Sequence, residues 1–282
     1  MDANVGRMAP ESGTEAVVPD LIVVGAGAGG MTAALVAALE GLKVVLCEAS
    51  DQVGGTTATS AGTLWLPGHT DSVQEARRYL DALIHEPDVQ GRREAYLATG
   101  DEALGYLQDR SAVAFASSGM HPDYLPQLPG AAVSGRAVSP LPFDGRLLGR
   151  DFWHVRPPLP EFMVLGGMMV GKADIAALLN RYRSWRDFKH SARLVLRYGW
   201  DLFRYPRGTR LVMGNALVAR LFYSLRQARV DIRFGWRLQT LDLERESGRV
   251  VGARFESPEG VRSLCASRGV VLATGGFGAN VP

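Results

Sequence analysis

The chain has 282 residues, of which 46% are hydrophobic and 21% charged, enough apolar material for one large core or two smaller ones and too much for a disordered chain. Thirty-one Lys and Arg against 29 Asp and Glu leave a formal charge of +2, so no bulk field recruits nucleic acid, and nucleic-acid partners are set aside.

Met1 to Ala16 is small and polar with no apolar period, so 1–17 reads as a disordered lead-in. The uncharged run from Leu21 to Leu39 has the length of a membrane span. Its β-branched start, its central glycines and the absence of a basic flank instead indicate a strand turning into a helix. A buried parallel strand is expected over 20–24, a helix over about 29–40 and a second strand over 43–48.

The stretch 54–67 is rich in Gly, Thr and Ser and reads as an irregular, functional loop. Helices are expected at 72–84 and 91–109, then ordered loop with short strands through the Pro and Gly of 118–171. Further helices are expected at 173–188, 191–203 and 215–228, and strands at 231–234, 237–244, 250–256, 263–267 and 269–272, as a β-meander returning to the sheet. Cys47 and Cys265 each lie in an apolar run and read as buried free thiols, which suits a reducing cytoplasm. Five histidines show no ligand spacing, so no metal site is expected.

Gly25-Ala-Gly27-Ala28-Gly29-Gly30 falls where a strand opens into a helix, the context that turns GxGxxG into a dinucleotide fingerprint. Gly25 suits a tight turn, Gly27 a close approach to a pyrophosphate, and Gly30 close packing of helix on strand. The helix N-terminus then faces the phosphates. Glu48, at the end of the second strand, is placed to accept hydrogen bonds from an adenosine ribose and disfavours a 2'-phosphate. The glycine pair and hydroxyls of Gly54-Gly55-Thr56-Thr57, so close to the ribose acid, imply a ligand longer than NAD, and FAD is such a ligand; an NAD-binding module is the competing reading.

With these motifs the sequence resembles, from about Val18 to Asn280, the FAD-dependent oxidoreductases of the fumarate reductase, succinate dehydrogenase and 3-ketosteroid dehydrogenase superfamily. Thr59 to Pro67, Asp123-Tyr124 and Gly208 to Leu217 are most similar to the ketosteroid dehydrogenase branch, and Gly269 to Gly276, with Ala273-Thr274-Gly275-Gly276, resembles the strand and turn that the whole superfamily lays against its FAD. The resemblance implies an α/β, Rossmann-like FAD-binding domain of the glutathione-reductase type with a β-meander and inserted helices. Its parts are a βαβ unit at 18–67, inserted helices and loops at 68–205, and a return to the sheet at 206–282. It also implies that Ala28, Gly29, Ala49, Ser60, Ala61 and Gly62 join Gly25, Gly27, Gly30, Glu48 and Gly54 to Thr57 at FAD. Ala273, Thr274 and Gly275 would lie against the cofactor, and Leu238 would touch the adenine through its backbone.

The succinate dehydrogenase branch attaches its flavin through a histidine after the glycine pair; Thr56-Thr57 stand there, so non-covalent FAD is implied. The branch dehydrogenates steroids and related cyclic ketones by hydride transfer to flavin, with tyrosines holding the ketone and taking the proton. Tyr124 matches one such tyrosine. The family pattern continues for a comparable length past Pro282 and is expected to carry the main catalytic tyrosines there. A C-terminally truncated, catalytically inactive FAD-binding fragment is therefore one alternative and a fumarate reductase-like flavoprotein another. A small apolar ketone is the expected substrate, with an unspecified electron acceptor. The arginines and aromatics of 181–210 read as a solvated helix face whose rings contact the core, with a peripheral membrane contact as the alternative.

Overall fold

The computed structural model describes residues 18–69 and 71–276; the expectations for 1–17 and for Phe277 to Pro282 lie outside the described residues. Leu21–Val24 (β1) and Val44–Glu48 (β2) form adjacent parallel strands, joined by the helix Ala28–Leu39 (α1). Leu64–Trp65 (β3), Val73–Leu83 (α2), Arg92–Arg110 (α3), Phe115–Ser117 (β4) and Ala137–Pro140 (β5) follow, with β3 and β4 pairing antiparallel to β5. Phe143–Asp144 (β6), Met163–Val164 (β7) and Met168–Met169 (β8) are the short strands of the proline-rich region.

Lys172–Leu179 (α4), Trp185–Asp201 (α5), Arg210–Leu211 (β9) and Met213–Gln227 (α6) lead into Asp231–Phe234 (β10), Arg237–Leu243 (β11), Val250–Ser257 (β12), Gly260–Cys265 (β13) and Gly269–Leu272 (β14). The central sheet has the order β10-β2-β1-β14 and is parallel throughout. The antiparallel β11-β12-β13 meander covers one face of it.

The near-continuous apolar runs of β1 and β2 follow from burial on both faces. Ile22, Val24, Val45 and Cys47 face the meander residues Ala253 and Phe255. The alternate residues Val23, Val44 and Leu46 face Met31 and Leu35 of α1 and Leu217 and Leu221 of α6. This is the two-residue side-chain period of a strand.

Three expectations are corrected. The helix expected over 173–188 is two helices, because Asn180 caps the end of α4 and the Ser184 hydroxyl accepts the Asp187 N–H at 3.4 Å to begin α5; α5 then runs through 188–191 without the expected gap. The loop 54–67 contains a 3-10 turn at Gly55–Thr59 and the strand β3. Cys265 is exposed rather than buried, since Leu264 packs into the meander core and alternation turns the next side chain outward.

Cys47 is buried, and burial pushes its thiol up to about 12. A thiol-reactive dye added to the native protein is therefore expected to label Cys265 rapidly and Cys47 only after unfolding. Rapid labelling of two thiols would contradict the placement of β2.

Candidate cofactor site

The glycine-rich turn lies at the carboxyl ends of β1 and β14, where ligands bind in open α/β sheets. Gly25 has a φ of 100°, and a Cβ built there would stand 2.4 Å from the Ala273 carbonyl oxygen. A Cβ on Gly30 would stand 1.8 Å from the Gly25 carbonyl oxygen and 3.2 Å from the Ala273 Cβ. At Gly27 and Gly29 a Cβ would meet nothing within 4 Å. The inner glycines thus close the turn on the sheet, and the outer ones leave open the side from which a pyrophosphate would approach. Gly27 caps α1 without a side-chain hydrogen bond, leaving the positive end of the helix directed at that space.

Around the turn stand the remaining residues singled out from the sequence. The Glu48 carboxylate accepts the Ala26 N–H at 2.7 Å through one oxygen, and the Ser50 N–H and hydroxyl at 2.9 and 3.0 Å through the other. Because a carboxylate has about four acceptor positions, Glu48 is fixed in place yet able to accept more. Ala49 is exposed beside it. The Trp236 N–H donates to the Glu48 carbonyl and the Gly235 N–H to that of Ser50, so the backbone leading into Leu238 runs alongside the acid. Leu238 itself is half-buried, packs into the meander core and pairs with Phe255 of β12.

Gly54 (φ 120°) donates its N–H to the Ala26 carbonyl at 2.7 Å, and a Cβ on Gly55 would lie 3.7 Å from the Gly27 Cα. The two glycine turns are therefore in contact. The Thr57 hydroxyl accepts the Ala28 N–H at 3.3 Å, whereas Thr56 points to solvent. Ser60, Ala61 and Gly62 cross the start of α6: the Gly214 N–H donates to the Ser60 carbonyl, the Ser60 hydroxyl accepts the Gly62 N–H, and a Cβ on Gly214 would lie 1.9 Å from the Thr57 carbonyl. Met213 enters α6 with a φ of 56°, a strained conformation for a residue with a side chain. On the other flank, Ala273 continues the β1 pairing with its N–H on the Val24 carbonyl, and Thr274 and Gly275 are exposed beyond it.

Gly214, Arg207 and Asn215 were not singled out as site residues from the sequence. Arg207 is buried against the Phe152 ring and donates to the Asn215 side-chain carbonyl at 2.8 Å; the Asn215 amide donates to the Ala58 carbonyl at 2.7 Å. Burial pulls the guanidinium down to about 10, so it stays charged at neutral pH. Arg207 and Asn215 lie eight residues apart, but Val155 and Ala58, to which they also donate, lie far away in sequence.

Beside Ser60 to Gly62 opens a cavity of about 500 Å³ lined by Trp65, Tyr79, His121 and Tyr124, and a neighbouring one of about 400 Å³ shares Ala61, Thr63 and His121 with it. Tyr124 is 95% exposed at the rim. Its neighbour Asp123 is buried, accepting the Trp65 indole N–H at 2.7 Å and an Arg136 N–H at 2.7 Å, while Arg136 also reaches Asp71 at 2.6 Å. A cavity of about 600 Å³ lies at the opposite, amino ends of the strands, lined by Lys43, Asp231 and Cys265 among others. Its size does not make it the cofactor site, because the glycine turn and the α1 N-terminus are at the other end.

The second cavity is bounded by Asp174. Burial pushes that carboxyl up, but the Gly171 N–H, His190 and Arg210 outweigh it and hold the group below its ordinary value of 3.8. With the folded pKa depressed, the stability contributed is present above the unfolded pKa and is lost as pH falls through the folded value. Thermal melts of the native protein and of Asp174→Asn are accordingly expected to differ at neutral pH and to converge below about pH 3.8; a constant difference down to the acid limit would contradict this. Among the described residues no group of three or more His, Cys, Asp and Glu could hold a metal ion.

Residues 20–282 match the family described as FAD binding domain. A 3-oxosteroid 1-dehydrogenase of Mycolicibacterium smegmatis is 35% identical over 272 residues, 92% of this chain and 47% of that protein. A 4-oxocyclohex-2-ene-1-carboxylate 5-dehydrogenase of Sinomonas cyclohexanicum is 35% identical over 269 residues, 93% of this chain and 45% of that protein. A solved 3-ketosteroid delta1-dehydrogenase from Sterolibacterium denitrificans, in complex with 1,4-androstadiene-3,17-dione, matches with a TM-score of 0.82 and 31% identity over 92% of this chain and 48% of its own. The chain spans about half the length of the curated relatives it matches.

Proposed function

This chain belongs to the FAD binding domain family, and from that premise we propose that it holds FAD without a covalent bond as the cofactor-binding part of a dehydrogenase of cyclic ketones, steroids among them. The observation that carries the reading is the joined pair of glycine turns at the carboxyl ends of β1, β2 and β14, with Glu48 anchored beside them. FAD, when bound, supplies a two-electron acceptor for a hydride from a carbon near the ketone. Glu48 accepts the ribose hydroxyls, and Gly27 with the first turn of α1 receives the pyrophosphate. Thr56 and Thr57 offer hydroxyls but no group that would form a stable covalent link.

On the substrate side, Trp65 and Tyr79 wall a cavity of a size suited to a small ligand. The Tyr124 phenol donates a hydrogen bond to the ketone, and Asp123 and Arg136 hold its loop. The exposed Tyr124 lies at the open rim, where a ring system would enter. The reducing cytoplasm is the setting that keeps Cys265 a free thiol.

Acid precipitation of the purified, yellow full chain is expected to release all flavin into the supernatant, and a colourless protein would sink the cofactor assignment. Reduction of an artificial electron acceptor that depends on a steroid or a cyclohexenone tests the activity; bound flavin without turnover would remove that activity from this chain. Where turnover is seen, Tyr124→Phe is expected to lower kcat by about 10²-fold or more at unchanged flavin content.

A further inference from the structure

We propose that α4 and α5 form a docking face for an anionic lipid surface. The core-facing stripe of α5 is Ser191, Leu194, Tyr198 and Asp201. Opposite it, Trp185, Leu196, Trp200 and then Phe203 are 69%, 74%, 68% and 84% exposed. Their spacing sets Trp185, Leu196 and Trp200 on one side of the helix, and Phe203 follows just past its end. This corrects the expectation that the rings of 181–210 contact the core: Tyr198 and Tyr205 do so, while the tryptophans and Phe203 face outward. Leu179 at the end of α4 and Tyr182 beyond it are likewise 75% and 83% exposed.

A contiguous apolar patch of this kind marks an interaction surface, and the charges around it select the partner. Between residues 172 and 204 eight Lys and Arg stand against three Asp, in a chain whose formal charge is only +2. Arg181 lies 4.4 Å over the Tyr182 ring and Lys189 5.3 Å over that of Trp185, so cations and rings share the outward side. Trp, Phe and Leu interleaved with Lys and Arg characterise a helix lying in the membrane interface. Among the described residues no helix is long and apolar enough to cross a membrane, which fits a helix lying in the plane. A second copy is disfavoured as occupant, because pairing this face with itself brings like charges together.

Asp174 ties α4 to His190 of α5 and to Arg210, and Asp201 accepts the Thr209 N–H and hydroxyl. The face is therefore held rigidly on the body. Lys172 and Asp174 also line the 400 Å³ cavity. On the reading given above, docking would bring that cavity beside the phase in which apolar ketones collect.

Co-sedimentation of the full chain with vesicles of phosphatidylcholine alone, or of phosphatidylcholine with phosphatidylglycerol, tests the proposal. Binding to the anionic vesicles only, weakened by salt, is expected. The double variant Leu196→Glu, Trp200→Glu should abolish it, and Lys189→Glu or Arg193→Glu should weaken it about fivefold per cation removed. All four side chains are exposed, so circular dichroism should be unchanged in each variant. Failure to pellet with anionic vesicles, or equal pelleting of the variants, would overturn the proposal. So would concentration-dependent oligomers that the Leu196→Glu, Trp200→Glu protein no longer forms, which would give the face to a second copy. Each readout is independent of flavin content and turnover, so the docking and dehydrogenase assignments fail separately.

Discussion

Gly30→Ala is expected to abolish flavin retention and to destabilise the protein by about 3 kcal/mol or more. The added methyl would stand 1.8 Å from the Gly25 carbonyl oxygen and 3.2 Å from the Ala273 Cβ. The nearer atom belongs to the backbone of the turn, so it cannot rotate away as a side chain would. Relief requires α1 to lift from β1 and β14, which displaces the first-turn N–H groups from the phosphates. Gly29→Ala is the control: it lies one residue earlier in the same helix, a Cβ there meets nothing within 4 Å, and alanine is the better helix former by about 0.5–1 kcal/mol. Its melting temperature should hold or rise. Flavin absorbance and thermal melts of the two variants provide the comparison, and a Gly30→Ala protein that stays yellow would refute the packing described for the turn.

The second large effect is expected from Arg136→Ala, with a loss of about 3–5 kcal/mol, the cost of leaving one partner of a buried ion pair alone. The Arg136 side chain is 3% exposed, that of Asp123 3% and that of Asp71 15%. Both carboxylates lose their guanidinium together, and Asp123 retains only the Trp65 indole and the Ala132 N–H. Tyr124→Phe, one residue from Asp123 but exposed, should leave the melt unchanged. Denaturant titration of the two variants separates the roles; a melting curve for Arg136→Ala superimposable on that of the native protein would show the pair to be energetically idle. The buried acid carries the structure of the loop, and the neighbouring phenol stands exposed at its surface.

Much of the nucleotide-binding unit is legible in the sequence. The spacing of Gly25, Gly27 and Gly30 and the apolar runs around them express local rules of backbone freedom and of burial on both faces, which act within a few residues. Gly54, Gly55 and Thr57 stand against the first glycine turn, and the strands after residue 230 fall close to their expected bounds. The break between α4 and α5 is not legible in the sequence, because the apolar pattern on both sides of residues 180–184 is continuous.

Three further features required the tertiary structure. The Asp123–Arg136–Asp71 cluster and the Arg207–Asn215–Ala58 chain join residues separated along the sequence, and a hydrogen-bond partner brought in by folding leaves no trace in spacing. The exposure of Cys265 depended on which of two alternating faces of β13 met the meander core.

The same holds for α5. Periodicity defines which side chains share a face, but only packing decides whether that face meets the core or the solvent. The βαβ unit and the acid beside it thus follow from residue order, because they depend on neighbours along the chain. That Trp185, Leu196, Trp200 and Phe203 point outward among arginines follows from packing, because the core contacts of α5 are taken by Leu194 and Tyr198.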